Sequence, residues 1–454
     1  MRIILIGAGK VGHTLADRLT AEEHDVTIID NDEDVIDRCQ DSLDVMCIKG
    51  NGANARTLVE AGVDRADIVI ATTAGDETNM LCCLIAKRLG AKYTIARIRD
   101  PEFNESQILL QNELGIDAAI NPERATALEI SKLLRYPFAG SIESFARGQV
   151  EMVEFRAQEG DAIVGVPMKD ISARIPNIPH VLYPMVERNG QVIIPGGDFY
   201  IEVGDKVFIS GSMLTITSYF HFLGRNSLRI RSIMIMGGGK ITYYLARMVT
   251  PIGMHMTVFE VDEEKARALS EQFPKADIIL GDGTDQDLLE EQGLSQMDAY
   301  VALSNRDEEN LMTGMYASRK GVPKVIAKNT RVTYSDILSD LGLDSIVSPQ
   351  NITCSTILRY VRAREHSKGT EIERLYRLAE GKAEAIEFIA RKGDPYIGIA
   401  LKDLTVRPGN LVVVIVHQGK VIVPFGKDRI EAGDHVVIIS RESGIGDLNE
   451  VLYR

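Results

Sequence analysis

The glycine-rich turn near the start of the chain has the residue types and the spacing of a phosphate-binding loop. Gly7, Gly9 and Gly12 follow an apolar run at 3–6 and precede an amphipathic helical pattern. In such a unit the first glycine permits a tight turn, the second lets a pyrophosphate approach the backbone, and the third allows close helix–strand packing. The amides that open the helix attract phosphate oxygens. The turn therefore predicts a bound nucleotide or dinucleotide; the alternative is a structural turn that binds nothing.

Further polar residues stand at the ends of the apolar runs that follow. Asp30 ends the second run, where its carboxylate can accept hydrogen bonds from ribose hydroxyls and would repel a 2′-phosphate, so NADP is disfavoured. Asn51 ends the third run, Thr72 and Thr73 the fourth, and Arg97, the best cation for a phosphate group, the fifth. The candidate residues of this first site are Gly7, Ala8, Gly9, Lys10, Val11, Gly12, Asp30, Asn51, Thr72, Thr73 and Arg97.

No catalytic constellation accompanies this turn. A dehydrogenase normally carries a positioned acid or base in a substrate domain, whereas the segment that follows here shows no His/Asp, Cys/His or lysine signature. His180 stands in a proline-containing stretch and is interpreted as a loop histidine. The pattern favours a ligand that acts as a signal over one that acts as a substrate.

Strands and helices alternate over the first 120 residues, which predicts a doubly wound parallel sheet of the α/β class. The alternation stops near residue 150 and gives way to short β-rich runs with turn residues, typical of a smaller α+β domain. The predicted strands of the large sheet are 3–6, 26–30, 45–49, 68–72, 93–97 and 118–120, with helices at 11–19, 33–40, 55–61, 76–89 and 105–114.

The whole arrangement is then repeated. Gly7 matches Gly237 at an offset of 230, and Asn79 matches Asn310 at an offset of 231. The short runs at 153–155 and 386–388 match as well. We therefore predict a tandem duplication, in which two Rossmann-like doubly wound domains are each followed by a small α+β domain. The predicted boundaries are 1–138, 139–228, 229–368 and 369–454.

The second glycine turn departs from the first at several positions. Thr242 replaces the third glycine, Asp282 replaces Asn51, Lys328 replaces Arg97, and Glu260 keeps the acid. We expect a second site that is weaker or altered in selectivity. Its candidate residues are Gly237, Gly238, Gly239, Lys240, Ile241, Glu260, Asp282 and Lys328.

Two helical segments, 123–136 and about 353–364, each join a large domain to its small domain. The sequence leaves two interpretations open for them: a core helix, or a crossover helix that docks on a second subunit. A third segment, 213–223, connects the two halves and has an apolar-aromatic face that requires burial.

The bulk composition excludes several classes of protein. A formal net charge of −14 over 454 residues argues against a general nucleic-acid binder. No apolar stretch approaches the ~20 residues of a transmembrane helix, and the first strand begins directly after Met1, so we expect a cytoplasmic protein without a signal peptide. The five cysteines and eight histidines show no disulfide framework and no metal-ligand pattern.

The chain resembles the TrkA family, the cytosolic regulatory subunits of bacterial Trk potassium uptake systems. The resemblance is carried by the doubled domain order, by the turn at 7–12 with Asp30, and by the segments 76–79 and 95–99. It implies potassium-conductance regulator (RCK) N-domains and C-domains, NAD+, NADH, ATP or ADP in the large domains, and no enzymatic activity. It also implies a homo-oligomeric ring, often of four chains, docked on the cytoplasmic face of a membrane potassium transporter of the TrkH or TrkG type.

The resemblance assigns nucleotide contact first of all to residues 7–11, Asp30, Thr73 and Arg97. Two alternatives stay open. One is an NAD-dependent oxidoreductase, and the other is a regulatory subunit of a different potassium channel or antiporter.

Overall fold

The first large lobe is a six-stranded parallel sheet flanked by helices. The computed structural model describes residues 1–101, 103, 114–137, 139–225, 230–330, 343, 345–366, 372–379, 382–442 and 445–453. The strands are β1 (Arg2–Ile6), β2 (Asp25–Asp30), β3 (Met46–Lys49), β4 (Ile68–Ala71), β5 (Tyr93–Arg97) and β6 (Ala118–Ile120), in the order β3-β2-β1-β4-β5-β6. The helices are α1 (Lys10–Ala21), α2 (Glu33–Ser42), α3 (Ala55–Glu60) and α4 (Asp76–Arg88).

This sheet confirms the predicted doubly wound topology. The residues of β1 from Ile3 to Ile6 are all buried, as expected for a strand covered by helices on both faces. The strand order reverses between β1 and β4, which opens a crevice at their carboxyl ends where ligands bind in such folds. The predicted helix at 105–114 lies, apart from its last residue, outside the described residues.

The first small lobe is a five-stranded antiparallel sheet. Its strands are β7 (Ser141–Phe145), β8 (Val150–Arg156), β9 (Leu182–Arg188), β10 (Gln191–Ile193) and β11 (Lys206–Gly211), in the order β10-β9-β11-β8-β7, and its helices are α5 (Pro122–Arg135), which leads into it, α6 (Ile171–Arg174) and α7 (Met213–Phe222). Strand β7 was missed by the sequence patterns. Helix α7 buries Tyr219 and Phe220 against Phe155, which confirms that the aromatic face of the connector is buried.

The second large lobe repeats the first. Its strands are β12 (Ser232–Met236), β13 (His255–Glu260), β14 (Asp277–Leu280), β15 (Ala299–Ala302), β16 (Lys324–Lys328) and β17 (Ser345–Val347), in the order β14-β13-β12-β15-β16-β17. Its helices are α8 (Lys240–Val249), α9 (Glu263–Gln272), α10 (Gln286–Glu291), α11 (Asp307–Arg319) and α12 (Pro349–His366).

The second small lobe repeats the strand order of the first small lobe, which confirms the tandem duplication. Its strands are β18 (Ile372–Leu378), β19 (Ala383–Ile389), β20 (Thr405–Val406), β21 (Asn410–His417), β22 (Lys420–Ile422), β23 (His435–Ser440) and β24 (Leu452–Tyr453). The main sheet runs β18-β19-β23-β21-β22, and β20 pairs with β24.

The chain forms two compact units, one of residues 1–134 with 230–361 and the other of residues 135–229 with 362–454. The first unit therefore contains both large lobes and the second both small lobes. Within the second unit the two small sheets share an apolar core, in which the Phe145 and Tyr376 rings meet edge to face at 4.8 Å.

The helices α5 and α12 exchange places between the two large lobes. Helix α5 follows the first sheet but buries Ala127, Ile130 and Leu134 in the core of the second large lobe. Helix α12 follows the second sheet but buries Ile357 and neighbouring residues in the core of the first. Both are therefore core helices, as the first of the two sequence interpretations held, but each enters the core of the opposite lobe of the same chain, which neither interpretation anticipated. Leu128 of α5 is exposed.

Candidate functional site

The first glycine turn leaves no room for side chains at its two ends. Gly7 has a φ of +89°, and a Cβ there would lie 2.8 Å from the Thr73 nitrogen; a Cβ at Gly12 would lie 2.0 Å from the Gly7 carbonyl oxygen. A Cβ at Gly9 would meet no protein atom within 4 Å. The turn is therefore fixed by packing at Gly7 and Gly12, while its middle faces open space at the start of α1.

The carboxylate of Asp30 holds this turn in place. Its Oδ2 accepts a hydrogen bond from the Ala8 amide at 2.8 Å, and its Oδ1 accepts one from the Asp32 amide at 3.0 Å. A carboxylate has about four acceptor positions, so Asp30 keeps acceptor capacity for a ligand hydroxyl. Ala8 itself is buried, and only its amide contributes here.

The far side of the crevice is organised by an asparagine that sequence reasoning did not place in the site. Asn79 is fully buried; its Oδ1 accepts hydrogen bonds from the Thr73 amide at 2.8 Å and the Thr73 hydroxyl at 2.7 Å. Its Nδ2 donates to the Arg97 carbonyl at 2.9 Å. The Thr72 hydroxyl donates to the Gly7 carbonyl at 2.8 Å. The constant offset between Asn79 and Asn310 was the signal that could have found this residue.

Two arginines project from the end of β5 into the crevice. Arg97 Nη2 donates to the Thr73 carbonyl at 2.6 Å, and Arg99 Nη2 donates to the Ala74 carbonyl at 2.6 Å. Burial, and after it the neighbouring Arg99, lower the pKa of Arg97. Two guanidinium groups are thus held close together, an arrangement that an anionic ligand would stabilise.

Glu123 lies beside these arginines and was also missed by the sequence analysis. Burial raises the pKa of its carboxyl, while Arg99, Arg97 and Lys240 of the second large lobe oppose that shift. Its Oε2 and the Arg97 Nε are buried without a hydrogen-bond partner in the described part of the chain, and Arg99 Nε lies 3.6 Å from Asp76 Oδ1. Such unpartnered polar atoms in a crevice indicate a site built for a polar ligand.

These groups surround a cavity of about 690 Å³ within the unit that contains both large lobes. Its second-lobe wall includes Thr330 and Gln350, and Gln350 Nε2 donates to the Lys10 carbonyl at 2.7 Å. Cys82 lies in the wall, and burial raises the pKa of its thiol to about 11, so the thiol is neutral. The candidate residues that line the cavity are Gly7, Gly9, Lys10, Val11, Asp30, Asn51, Thr72, Thr73 and Arg97.

Two candidate residues of the first site, Ala8 and Gly12, are not part of the cavity lining. Both are buried behind the turn and shape it from within. Asn51 lines the cavity with its Oδ1 accepting the Ala53 amide at 2.9 Å, so its side chain stabilises the turn after β3 as well.

In the second glycine turn a different side chain satisfies the carbonyl of the first glycine. Thr242 is fully buried, and its hydroxyl donates to the Gly237 carbonyl at 2.5 Å. In the first lobe the corresponding carbonyl is satisfied by Thr72, while the residue that follows β15 at the matching position is Leu303. The hydroxyl that satisfies the carbonyl therefore comes from the residue after a strand in the first lobe and from the start of a helix in the second. The threonine thus supports the turn.

The acid of the second lobe is more enclosed than Asp30. Glu260 is buried, with Oε2 accepting the Gly238 amide at 2.7 Å and Oε1 accepting the Asp262 amide at 2.9 Å. A Cβ at Gly238 would lie 2.7 Å from Leu269 Cδ1 and 2.9 Å from Glu260 Oε2, so these two side chains would have to move for a larger residue. A ribose would find less of this carboxylate accessible than of Asp30.

The remaining second-site candidates are engaged with protein groups. Lys328 is buried, its Nζ lies 3.4 Å from Asn305 Oδ1, and burial lowers its pKa. Asp282 accepts hydrogen bonds from the amide and hydroxyl of Thr284, which lower its pKa. Lys240 pairs with Asp100 of the first lobe at 3.1 Å. Ile241 packs on the core of its lobe, and a Cβ at Gly239, as at Gly9, would meet no protein atom within 4 Å.

Comparison with known proteins identifies the family. The TrkA-N domain model matches residues 3–122 and 233–349, and the TrkA-C domain model matches residues 385–453. The chain belongs to the TrkA family. The Trk system potassium uptake protein TrkA of Vibrio alginolyticus is 34% identical over 444 residues, which cover 96% of this chain and 95% of that protein. A TrkA homolog of Methanosarcina mazei is 32% identical over 459 residues, which cover 99% of this chain and all of that protein.

Solved structures share the tandem RCK fold of this TrkA-family chain. The GsuK channel has a TM-score of 0.65 at 16% identity and covers 97% of this chain and 76% of its own. The GsuK RCK domain has a TM-score of 0.62 and covers 97% of this chain and 92% of its own. The predicted family and fold class are thus confirmed. The TrkA-C model matches the second small lobe, and the first small lobe has the same strand order.

The described residues of this TrkA-family chain contain neither a membrane-spanning helix nor a cluster of metal ligands. None of its described helices has the length and apolarity needed to cross a membrane. The same residues contain no group of three or more His, Cys, Asp or Glu side chains placed to hold a metal ion.

Proposed function

We propose that this chain is the nucleotide-sensing regulatory subunit of a membrane potassium uptake transporter. The observation that carries the proposal is the cavity of the first large lobe, whose wall includes residues of both large lobes. A ligand in that cavity touches two parts of the unit, so its affinity depends on how they are arranged. A difference in affinity between two arrangements is what allows a ligand to shift a conformational equilibrium.

The residues present fit an adenine nucleotide or NAD(H). The ribose would be held by Asp30, and the phosphates by the amides at Gly9 and the start of α1. Arg97 and Arg99, already held by backbone carbonyls, would stabilise the distal phosphate charge. The volume of about 690 Å³ is within the range of small-molecule sites. NAD+, NADH, ATP and ADP share the groups that these residues recognise.

The names of related proteins support the potassium-transport part of the proposal. The Vibrio alginolyticus and Methanosarcina mazei relatives are named as Trk potassium uptake proteins, and a GsuK channel of the same fold was solved bound to NAD. We propose that this chain likewise partners a TrkH- or TrkG-like transporter subunit. It would do so on the cytoplasmic face of the inner membrane as a homo-oligomeric ring of four chains.

We further propose that the four divisions 1–138, 139–228, 229–368 and 369–454 act as two sensing and two coupling domains. Ligand binding in the large lobes would change their arrangement, and the small lobes would transmit that change through the ring. A ligand with tenfold preference for one arrangement supplies about 1.4 kcal/mol. Repeated sites would add such biases where the chains of the ring move together.

The chemistry of the cavity supports regulation over catalysis. The described residues that line the cavity include no histidine or tyrosine. Asp30 accepts hydrogen bonds from two backbone amides, and Glu123 lies beside Arg97 and Arg99. An NAD-dependent oxidoreductase would require a positioned acid or base beside the cofactor.

A binding titration tests the proposal. Calorimetry of the full chain with NAD+, NADH, ATP and ADP, with native mass measured alongside, should show saturable binding to an oligomer. Incubation with NADH and a panel of carbonyl compounds should leave NADH unconsumed; stoichiometric turnover would overturn the regulatory assignment. Co-purification from membranes would then identify the pore protein. Recovery of a channel or antiporter in place of a Trk-type subunit would favour that alternative.

A further inference from the structure

The first small lobe balances its buried aspartate with an arginine. Asp205, just before β11, is 3% exposed and accepts the Glu202 amide at 2.9 Å. Arg188, the last residue of β9, donates to both of its carboxylate oxygens, at 2.8 Å from Nε and 2.7 Å from Nη2. Since arginine stays charged at all physiological pH values, this ion pair does not depend on pH in that range.

The second small lobe has the same aspartate with a histidine in place of the arginine. Asp434, just before β23, is 2% exposed and accepts the Glu431 amide at 2.8 Å. His417, the last residue of β21, places Nδ1 at 2.6 Å from Asp434 Oδ1. The positions correspond, because Arg188 pairs across its hairpin with Gln191 as His417 pairs with Lys420.

A second histidine follows at once. His435 begins β23 at the position that Lys206 occupies in the first small lobe, and its Nδ1 lies 2.6 Å from Oε1 of Glu387. Glu387 is fully buried, and its Oε2 accepts the Ala146 amide of the first small lobe at 3.1 Å. His435 therefore contacts a carboxylate that also accepts a hydrogen bond from the first small lobe.

Charged groups of the described residues lie near both histidines. His417 faces Asp434, with Lys420 opposite in register and Glu431 at the same turn. His435 faces Glu387, whose Oε2 also lies 3.9 Å from Arg374 Nε.

Of these groups only histidine normally changes charge between about pH 5 and 8. A protonated histidine completes an ion pair with its buried carboxylate, whereas a neutral one leaves the carboxylate with a weaker hydrogen bond.

We propose that the second small lobe is a proton-sensitive element whose packing against the first small lobe tightens when His417 and His435 are protonated. As the pH rises and the histidines lose their charge, the second small lobe and its seam with the first loosen. The first small lobe, with Arg188 and Lys206 at the same positions, has no such response of its own and responds only through the seam. This response needs no nucleotide, so cytoplasmic pH forms a second input that is independent of the proposed ligand site.

Hydrogen exchange of the full chain at about pH 6 and pH 8 tests the proposal. Protection factors, corrected for intrinsic exchange rates, are compared between peptides of β21 and β23 and those of β9 and β11. We expect protection in the second lobe to fall roughly threefold or more from the lower to the higher pH, since a hydrogen bond to a charged group is the stronger one. Protection in the first lobe should fall by clearly less, since it responds only through the shared core. Equal pH responses in the two lobes would overturn the proposal.

Reciprocal variants separate the histidines from other causes. His417→Arg with His435→Lys, the residue types of the first lobe, should remove the pH response, and Arg188→His should create one in the first lobe. His255→Gln, which alters an exposed His–Asp pair of a large lobe, should leave the response unchanged. A response that persists in the double variant contradicts the proposal. If the double variant does not fold, an Arg188→His variant without a pH response overturns it.

Discussion

The two glycine turns of this chain satisfy the carbonyl of their first glycine by different side-chain chemistry. In the first, the backbone at Gly12 lies too close to the Gly7 carbonyl for a side chain, and the Thr72 hydroxyl satisfies that carbonyl. In the second, Thr242 occupies the third position and satisfies the Gly237 carbonyl itself.

The acidic residues that hold the two turns also differ in exposure, since Asp30 lines the cavity while Glu260 is buried. The comparison separates what the turn needs, a satisfied carbonyl, from what a ligand needs, an open middle and an accessible acid.

The largest expected effect comes from placing the threonine of the second glycine turn at the matching position of the first. Gly12→Thr places side-chain atoms against the Gly7 carbonyl and should lower the local free energy of opening by about 2 kcal/mol or more. Gly12→Thr with Thr72→Leu, which transplants the second-lobe pair, should recover about 1 kcal/mol of that loss. Hydrogen exchange of the β1 and α1 peptides measures both variants. Equal losses in the single and double variants would show that the two positions are not coupled.

A second effect concerns affinity. Arg97→Gln removes a cation that faces the cavity and should weaken ATP binding roughly tenfold to a hundredfold, the range for loss of a charged hydrogen bond. Lys328→Gln, its counterpart in the second lobe, should change affinity at the first site by less than about twofold. Calorimetric titration with ATP compares them. If both variants bind as the unaltered chain does, the arginine is not a ligand contact.

A third effect is a dependence on pH at Glu123. Because burial raises the pKa of this carboxyl, the folded chain holds the proton more tightly than the unfolded chain does. Its contribution to stability is therefore present below the ordinary carboxyl pKa of 4.5 and is lost as the pH rises through the raised value.

Glu123→Gln, which copies Gln350 of the other lobe, should remove this dependence and stabilise the unit by up to about 1 kcal/mol at neutral pH. Urea denaturation from acidic to neutral pH measures it. An unchanged pH profile in the variant would exclude Glu123 as its source.

The smallest effect is expected where the two lobes meet in solvent. Lys240 and Asp100 form a half-exposed ion pair, and such pairs contribute little. Lys240→Gln should lower stability by no more than about 0.5 kcal/mol, and less at high salt. Thermal unfolding at low and high salt checks this; a large, salt-independent loss would assign Lys240 a structural role.

The sequence predicted most of the fold because its signals are local. Apolar runs ending in glycine or acid mark parallel strands, and a constant offset marks the duplication. Strand β7 was missed because Ser141, Glu143 and Ser144 interrupt its apolar pattern. The exchange of α5 and α12 could not be predicted, since an apolar helix face does not specify which of two similar cores it enters.

The candidate site was predicted where residues follow strand ends, as with Asp30, Thr73 and Arg97. Glu123 was missed because its environment is created by Arg97, Arg99 and, across the lobes, Lys240. The use of Thr72 in one turn and Thr242 in the other was missed for a similar reason. The Gly7 carbonyl that Thr72 satisfies lies 65 residues away in the sequence, so no local pattern joins the two.

Potassium flux under nucleotide control tests the central claim most directly. A Trk-type transporter is reconstituted in vesicles with this chain, and flux is titrated with NAD+, NADH, ATP and ADP for the unaltered chain and for Asp30→Ala. We expect at least one nucleotide to change flux, and Asp30→Ala to abolish that response or to shift its midpoint roughly tenfold. A response of Asp30→Ala equal to that of the unaltered chain would contradict the account.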